Sequence, residues 1–102
     1  MIAQGASTQA GEKTAIAQYN DGLTKGAAAW AAKNPGVKYW VLDTTAPFQM
    51  ALDNPTKYGA GADGATCFNA DGVSCLWWND YHPATAIHKL IAQAMASLLG
   101  DW

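Results

Sequence analysis

His82 stands directly before an apolar helix pattern, in the stretch WWNDYHPATAIH that runs from Trp77 to His88. Asn79 and Asp80 precede it by three and two residues. An imidazole changes protonation near neutral pH, so a histidine oriented by a neighbouring oxygen can accept and return a proton. The residue types alone leave three roles open for His82: a helix cap, a metal ligand or a catalytic base.

The metal role is the weakest of the three. His88 follows His82 by six residues, which is a poor helical spacing for two ligands on one face, and no third ligand is evident. Asp53, Asp63 and Asp71 flank glycine-rich segments, but their spacing does not match the known calcium-loop pattern. The sequence therefore predicts no metal site and no cofactor.

Two cysteines, Cys67 and Cys75, bracket the segment CFNADGVSC. Its central Asp71 and Gly72 can reverse the chain and bring the two sulfurs together. A disulfide closing so short a loop would stabilise the fold by roughly 2–3 kcal/mol in the chain-entropy model. The alternative is a pair of reduced thiols in a cytosolic protein. The sequence favours the disulfide, and with it a secreted, extracellular location.

Composition limits the possible partners. The 102 residues suit a single unit; half are apolar, 14% are charged and the net charge is -2. Six scattered lysines and no arginine argue against nucleic-acid binding. No apolar run approaches the roughly 20 residues of a membrane span. No signal-peptide pattern follows Met1, as expected of a mature secreted chain or a shortened one.

The first half of the chain predicts a lead-in, a helix and a strand. Residues 1–10 are small and polar and are expected to be loose. Apolar side chains then recur at helical spacing from Gly11 to Lys33. The following Val37–Asp43 carries large apolar groups on both faces, which is typical of a strand inside a covered parallel sheet. Trp30 and Trp40 are accordingly predicted to be core residues.

The second half predicts a short helix, a long loop and a final helix. Thr44 and Thr45 offer a cap for a helix through about Leu52, and residues 54–75 form a glycine-rich loop. The final helix is marked on one face by six apolar residues: Ile87, Leu90, Ile91, Ala94, Met95 and Leu98. Of the neighbouring Trp77 and Trp78, one should be displayed and the other packed in the core, because adjacent residues in an extended segment face opposite ways.

One strand cannot form a sheet, because its backbone groups need neighbours. Either further strands lie in the loops, or two copies pair, or the chain belongs to a larger α/β domain. The last alternative explains the most. Asp43 would then lie at the carboxyl end of the strand, where it either supports a ligand crevice or caps the next helix.

The stretch around His82 resembles the final sequence block of the SGNH/GDSL hydrolases, especially fungal secreted esterases of the acetylesterase and lipase type. Upstream, NPGVKYWVLDTTAPFQMALDNPTKYG and the cysteine loop fit as well, so that the likeness runs from about Ala15 to Leu98. It implies a partial three-layer, flavodoxin-like α/β fold in the order helix, strand, helix, loop, helix. It also implies hydrolysis of acetyl or short acyl esters, on carbohydrate or lipid, by a serine nucleophile.

By this resemblance His82 matches the catalytic histidine that takes the serine proton. The acid of the family lies three residues before that histidine, where this chain has Asn79; Asp80 comes one residue later. Asn79, Asp80 or a backbone carbonyl is therefore expected to orient the imidazole. An asparagine in this role orients the ring but does not stabilise imidazolium by charge.

The GDS block that carries the nucleophile of the family is absent. The three serines, Ser7, Ser74 and Ser97, have no nucleophile-elbow context. We therefore expect the chain to be the C-terminal half of the hydrolase, inactive alone and completed by the missing N-terminal half. The alternative is a secreted, non-catalytic binding or effector-like protein derived from such an esterase.

Overall fold

The computed structural model describes residues 5–100. It divides the chain into two compact units, one ending at Val41 and the other beginning at Leu42. Along the described residues the elements are α1 (Ala6–Lys33), α2 (Thr45–Asp53), a short 3-10 helix (Pro55–Tyr58) and α3 (Thr85–Leu99). Within that range, none of the helices has the length and apolar character needed to cross a membrane.

Helix α1 begins at Ala6, five residues before the predicted start, so the second half of the predicted loose lead-in is helical. The lead-in residues 1–4 lie outside the described residues. The helix ends where the sequence predicts. The Asn34 side-chain amide donates to the Trp30 carbonyl at 2.8 Å, and Gly36 takes a φ of +90°, which glycine adopts without steric cost.

No residue of α1 is buried. Ile16, Tyr19 and Leu23 recur at helical spacing, yet each is at least half exposed. Trp30 is 53% exposed, so its assignment to the core was wrong. Periodicity shows which face of a helix is apolar, but burial requires a second layer. In the described part of this unit, no second helix or sheet covers α1.

The segment Val37–Asp43 has no regular secondary structure. Val37, Tyr39 and Val41 are 39–45% exposed, and Trp40, predicted to be core, is 39% exposed. The predicted strand is therefore not formed within residues 5–100, where the only β-type pairings are isolated bridges. A strand exists only with neighbours to satisfy its backbone, and this stretch of chain offers none. The wider α/β fold stays a prediction about a larger domain.

The N-cap residue of helix α2, Thr44, makes no side-chain cap hydrogen bond, so the predicted threonine cap is not formed, and the preceding Asp43 contacts the helix start instead. The Asp43 carboxylate accepts from the backbone N–H of Thr45 at 2.9 Å and from its hydroxyl at 2.5 Å. The hydroxyl first, then the backbone N–H, hold the pKa of Asp43 below its ordinary value. Of the two roles predicted for Asp43, the structure shows the cap. Pro47 lies buried in the first turn, and Asn54 follows the last helical residue.

The core of the second unit lies between α2, the 3-10 helix and α3. Ala51, Leu76 and Ile87 are completely buried, and Ala60 is nearly so. Half-buried hydrophobic side chains surround them: Phe48, Leu52, Tyr58, Ala65, Trp77, Ala86, Leu90 and Ile91. The predicted final helix is confirmed, with Gly100 directly after Leu99.

The long loop before α3 is tied to itself by backbone hydrogen bonds. Gly61 N–H donates to Ser74 O at 3.0 Å, and Leu76 N–H donates to Gly64 O at 2.9 Å. Gly64 is buried, and a Cβ there would lie 2.7 Å from the Ala60 Cβ. These contacts place Leu76 in the core without a sheet.

The predicted disulfide is confirmed. Cys67 and Cys75 are bonded, with their Cα atoms 5.6 Å apart. Inside the closed loop, the Asp71 carboxylate accepts from the backbone N–H groups of Val73 and Ser74 at 2.8 and 2.9 Å. A loop as rich in small residues as this one thereby takes a defined conformation.

Candidate functional site

Asn79 and His82 form a compact turn just ahead of α3. The side-chain oxygen Oδ1 of Asn79 accepts from the backbone N–H groups of Tyr81, at 3.1 Å, and His82, at 2.7 Å. The imidazole Nδ1 of His82 lies 3.0 Å from the same oxygen. Asparagine favours such turns because its short amide can reach backbone groups two or three residues ahead.

This arrangement determines the tautomer of the histidine ring. The two backbone N–H groups can only donate, so the atom that faces them must be the amide oxygen of Asn79 rather than its nitrogen. An oxygen that faces Nδ1 needs a proton there. The neutral His82 ring therefore carries its proton on Nδ1 and a lone pair on Nε2.

The ring of His82 is open to its surroundings. His82 is an exposed residue, and Nε2 makes no hydrogen bond within residues 5–100. A general base needs this combination, since one nitrogen holds the ring in place and the other receives the proton.

Two aromatic side chains flank the imidazole. The Tyr81 ring lies 4.1 Å from it, centroid to centroid, with the planes tilted by 39°. The Trp78 ring lies 6.5 Å away and nearly edge-on, at 74°. Tyr81 was not singled out from the sequence. Its position next to His82 was the available signal, because neighbouring residues in a tight turn can bring their side chains together.

Backbone hydrogen bonds connect this turn to the buried residues at the end of the disulfide loop. Cys75 and Leu76 are buried, and Leu76 O accepts from Ala84 N–H at 2.8 Å. Trp78 N–H donates to His82 O, also at 2.8 Å. The Asn79–His82 turn is thus closed by a hydrogen bond between its own flanks, and Ala84 after it is held to Leu76, the residue that follows the second cysteine.

The neighbouring tryptophans divide their roles as predicted. Trp77 is half-buried; it packs against Phe48 with ring centroids 6.0 Å apart and donates from Nε1 to Ala65 O at 3.0 Å. Trp78 is 47% exposed. The displayed residue is the one beside His82.

The other candidate residues are placed differently. Asp80 is exposed, and its carboxylate makes no hydrogen bond or ion pair among residues 5–100, so Asn79 is the residue that contacts the ring. His88 lies on α3, with its side chain exposed. In the part of the chain that is described, no three histidine, cysteine or acidic residues are grouped to hold a metal ion.

None of the three serines is hydrogen-bonded to His82 in the described structure. The Ser74 hydroxyl donates to the Asp71 carboxylate instead. That contact, with the backbone N–H groups of Val73 and Ser74, holds the pKa of Asp71 below its ordinary value. Ser7 lies in α1 and Ser97 in α3.

Comparison with known proteins finds similarity to an esterase. An acetylesterase of Thermothelomyces thermophilus is 50% identical over 88 residues, which are 86% of this chain and 28% of the acetylesterase. This chain is similar to part of an esterase. It spans little more than a quarter of the length of that relative. No protein-family model matches the chain, and no solved structure matches it.

Proposed function

We propose that the chain is the C-terminal portion of an SGNH-type serine ester hydrolase, in which His82 is the general base and Asn79 holds it. The rest of the hydrolase domain supplies the nucleophilic serine. The substrates are acetyl or short acyl esters of carbohydrates or lipids. The acetylesterase relative supports the reaction class, and the disulfide is compatible with an extracellular location.

The observation that carries the proposal is the geometry at Asn79 Oδ1. This one oxygen accepts from two backbone N–H groups and from the His82 ring. A histidine without a chemical role at this position would not require an oriented ring. Here the ring is held in the tautomer that leaves Nε2 available, on an exposed side chain.

In the proposed reaction, Nε2 of His82 takes the proton of the serine hydroxyl as its oxygen bonds to the ester carbonyl carbon. The protonated ring then gives that proton to the departing alcohol as the carbon–oxygen bond breaks. Water then attacks the acyl-enzyme: its proton passes to Nε2 as its oxygen bonds to the acyl carbon. That proton goes to the serine oxygen as the bond between the serine oxygen and the acyl carbon breaks, which releases the carboxylic acid.

An asparagine in place of the acid demands an explanation. In a serine–histidine–aspartate triad, exchanging aspartate for asparagine lowers turnover by about 10⁴-fold because the wrong ring tautomer results. Here the N–H groups of Tyr81 and His82 hold the amide oxygen of Asn79 towards the ring, so that loss is avoided. What Asn79 lacks is the negative charge that would stabilise imidazolium.

The test is a full-length hybrid. The matching segment of the Thermothelomyces thermophilus acetylesterase is replaced by the homologous residues of this chain, and hydrolysis of 4-nitrophenyl acetate is measured. We expect the hybrid to turn over. His82→Ala should lower kcat by at least about a thousandfold, since a triad loses most of its rate when the base is removed.

His88→Ala is the matched control, because His88 is an exposed histidine outside the turn. It should keep the activity of the hybrid. A folded hybrid that has no activity, or one whose activity survives His82→Ala, contradicts the proposal. Circular dichroism and gel filtration establish that each variant is folded.

A further inference from the structure

Two exposed aromatic rings lie against His82 in a fixed arrangement. Trp78 is 47% exposed and Tyr81 is 60% exposed. Single exposed hydrophobic residues are common and do not by themselves indicate a binding site. These two differ because both contact the ring of the same exposed histidine, one with its centroid at 4.1 Å and the other edge-on at 6.5 Å.

A hydrogen bond to the disulfide loop fixes the orientation of the Trp78 side chain. Its indole Nε1–H donates to Ala70 O at 3.0 Å. Ala70 belongs to the loop that the Cys67–Cys75 disulfide closes. The polar atom of Trp78 is thus already hydrogen-bonded. The exposed remainder of the side chain is an apolar ring surface with a fixed orientation, so a ligand that packs on it costs little further side-chain entropy.

A carboxylate stands between the two rings in sequence. Asp80 is exposed and has no hydrogen-bond or ion-pair partner among residues 5–100. A ligand that suits this group of residues has one flat apolar face for an aromatic ring and hydroxyl groups at its edge for a carboxylate. A pyranose ring has both: its C–H groups form the apolar face, and its hydroxyls donate outward.

We propose that Trp78, Tyr81 and Asp80 form a subsite for a pyranose ring, the alcohol part of an acylated sugar. This inference rests on the proposed function, because it places the leaving group of the same reaction beside Nε2 of His82. An alkyl chain suits the rings less well overall, since it would cover Asp80 without offering it a hydrogen-bond donor.

The experiment uses the full-length hybrid and compares three acetate esters: an acetylated methyl pyranoside, ethyl acetate and an acetylated long-chain monoacylglycerol. The measured quantity is the ratio of kcat/KM for the sugar ester to kcat/KM for ethyl acetate. Trp78→Ala and Tyr81→Ala should each lower this ratio by about tenfold, chiefly through KM, which is the scale of one lost aromatic contact. Trp78→Phe should restore most of it.

Phe68→Ala is the matched control, because Phe68 is a 64% exposed aromatic with no ring contact to His82 among the described residues. It should leave the ratio unchanged. An unchanged ratio in both alanine variants overturns the subsite, as does an equal loss on all three esters, which would mark a structural role. A loss confined to the monoacylglycerol overturns it in favour of lipid.

Failure of the proposed function is distinguishable from failure of the subsite. If the folded hybrid hydrolyses none of the three esters, the proposed function is contradicted. Calorimetric titration of that hybrid with the methyl pyranoside then tests the subsite alone. Binding that is lost in Trp78→Ala supports it, and no binding by the unsubstituted hybrid overturns it.

Discussion

Asn79 holds His82 twice through one oxygen, at 2.7 Å to the backbone nitrogen and at 3.0 Å to the ring Nδ1. The backbone contact prevents rotation of the amide, and the ring contact then selects the tautomer. Orientation of the imidazole is thus built into a local turn of four residues. It does not depend on a residue from another part of the chain.

Replacement of Asn79 should separate selection of the ring tautomer from stabilisation of the imidazolium by charge. Asn79→Ala removes the acceptor, so we expect the Nδ1–H tautomer to lose its dominance in long-range ¹H–¹⁵N NMR spectra of His82. Asn79→Asp keeps the acceptor and adds the charge that stabilises imidazolium, so the hybrid esterase should turn over faster. Persistence of the Nδ1–H tautomer in Asn79→Ala would show that the oxygen does not select it.

Reduction of the disulfide should destabilise the unit that carries His82. Opening the Cys67–Cys75 loop, with its sequence separation of 8, should lower the free energy of unfolding by about 2–3 kcal/mol. Urea denaturation followed by tryptophan fluorescence, with and without dithiothreitol, measures the difference. In the control, Cys67→Ser with Cys75→Ser, dithiothreitol should have no effect. A reductant effect of equal size there would assign it to another cause.

Gly64 should not accept a side chain. A Cβ there lies 2.7 Å from the Ala60 Cβ and 2.8 Å from the Gly61 carbonyl oxygen. Gly64→Ala should therefore lower the free energy of unfolding by about 1–3 kcal/mol, as overpacking does elsewhere. Gly22→Ala in α1, where nothing lies within 4 Å, serves as the control and should leave the tryptophan-monitored transition of the second unit unchanged. Equal stability of both variants would contradict the packing described for Gly64.

Asp71 should make stability depend on pH at the acidic end. Its pKa in the folded chain is lowered from 3.8, first by the Ser74 hydroxyl and then by backbone N–H groups. The carboxylate thus contributes stability above the ordinary pKa, and that contribution is lost as the pH falls through the lowered value. Asp71→Asn removes the titrating group while keeping an acceptor for Val73.

The comparison for Asp71 is between two melting temperatures. Between pH 7 and pH 2, the thermal midpoint of the unsubstituted chain should fall further than that of Asp71→Asn. Asp53→Asn serves as the control, because it removes an exposed aspartate outside the loop. Parallel pH curves for the unsubstituted chain and Asp71→Asn would contradict the assigned role.

The parts of this fold that were predictable from sequence depend on short-range signals. The end of α1 at Asn34 and the breaks around α2 follow from proline, glycine and capping residues that act within a few positions. The disulfide followed from a turn between two cysteines. The expectation of burial for Trp30 and Trp40 failed, because burial depends on which other segments pack there.

The choice between Asn79 and Asp80 could not be made from sequence. The two side chains have nearly the same shape, and both were within reach of His82 by spacing. The outcome depends on which of them also meets the backbone N–H groups of Tyr81 and His82, and that depends on the turn conformation. The contribution of Tyr81 beside the ring depends on the same turn.

Helix α1 supplies 28 residues, more than half of the α-helical residues described, and none of its residues is buried. A helix of that kind owes its stability to intrinsic propensity, so it should melt gradually on heating and not in a single cooperative step. Far-ultraviolet dichroism of this protein would then record mainly the fraying of α1. The integrity of the turn that holds His82 has to be monitored by a separate probe, such as the NMR signals of the His82 ring.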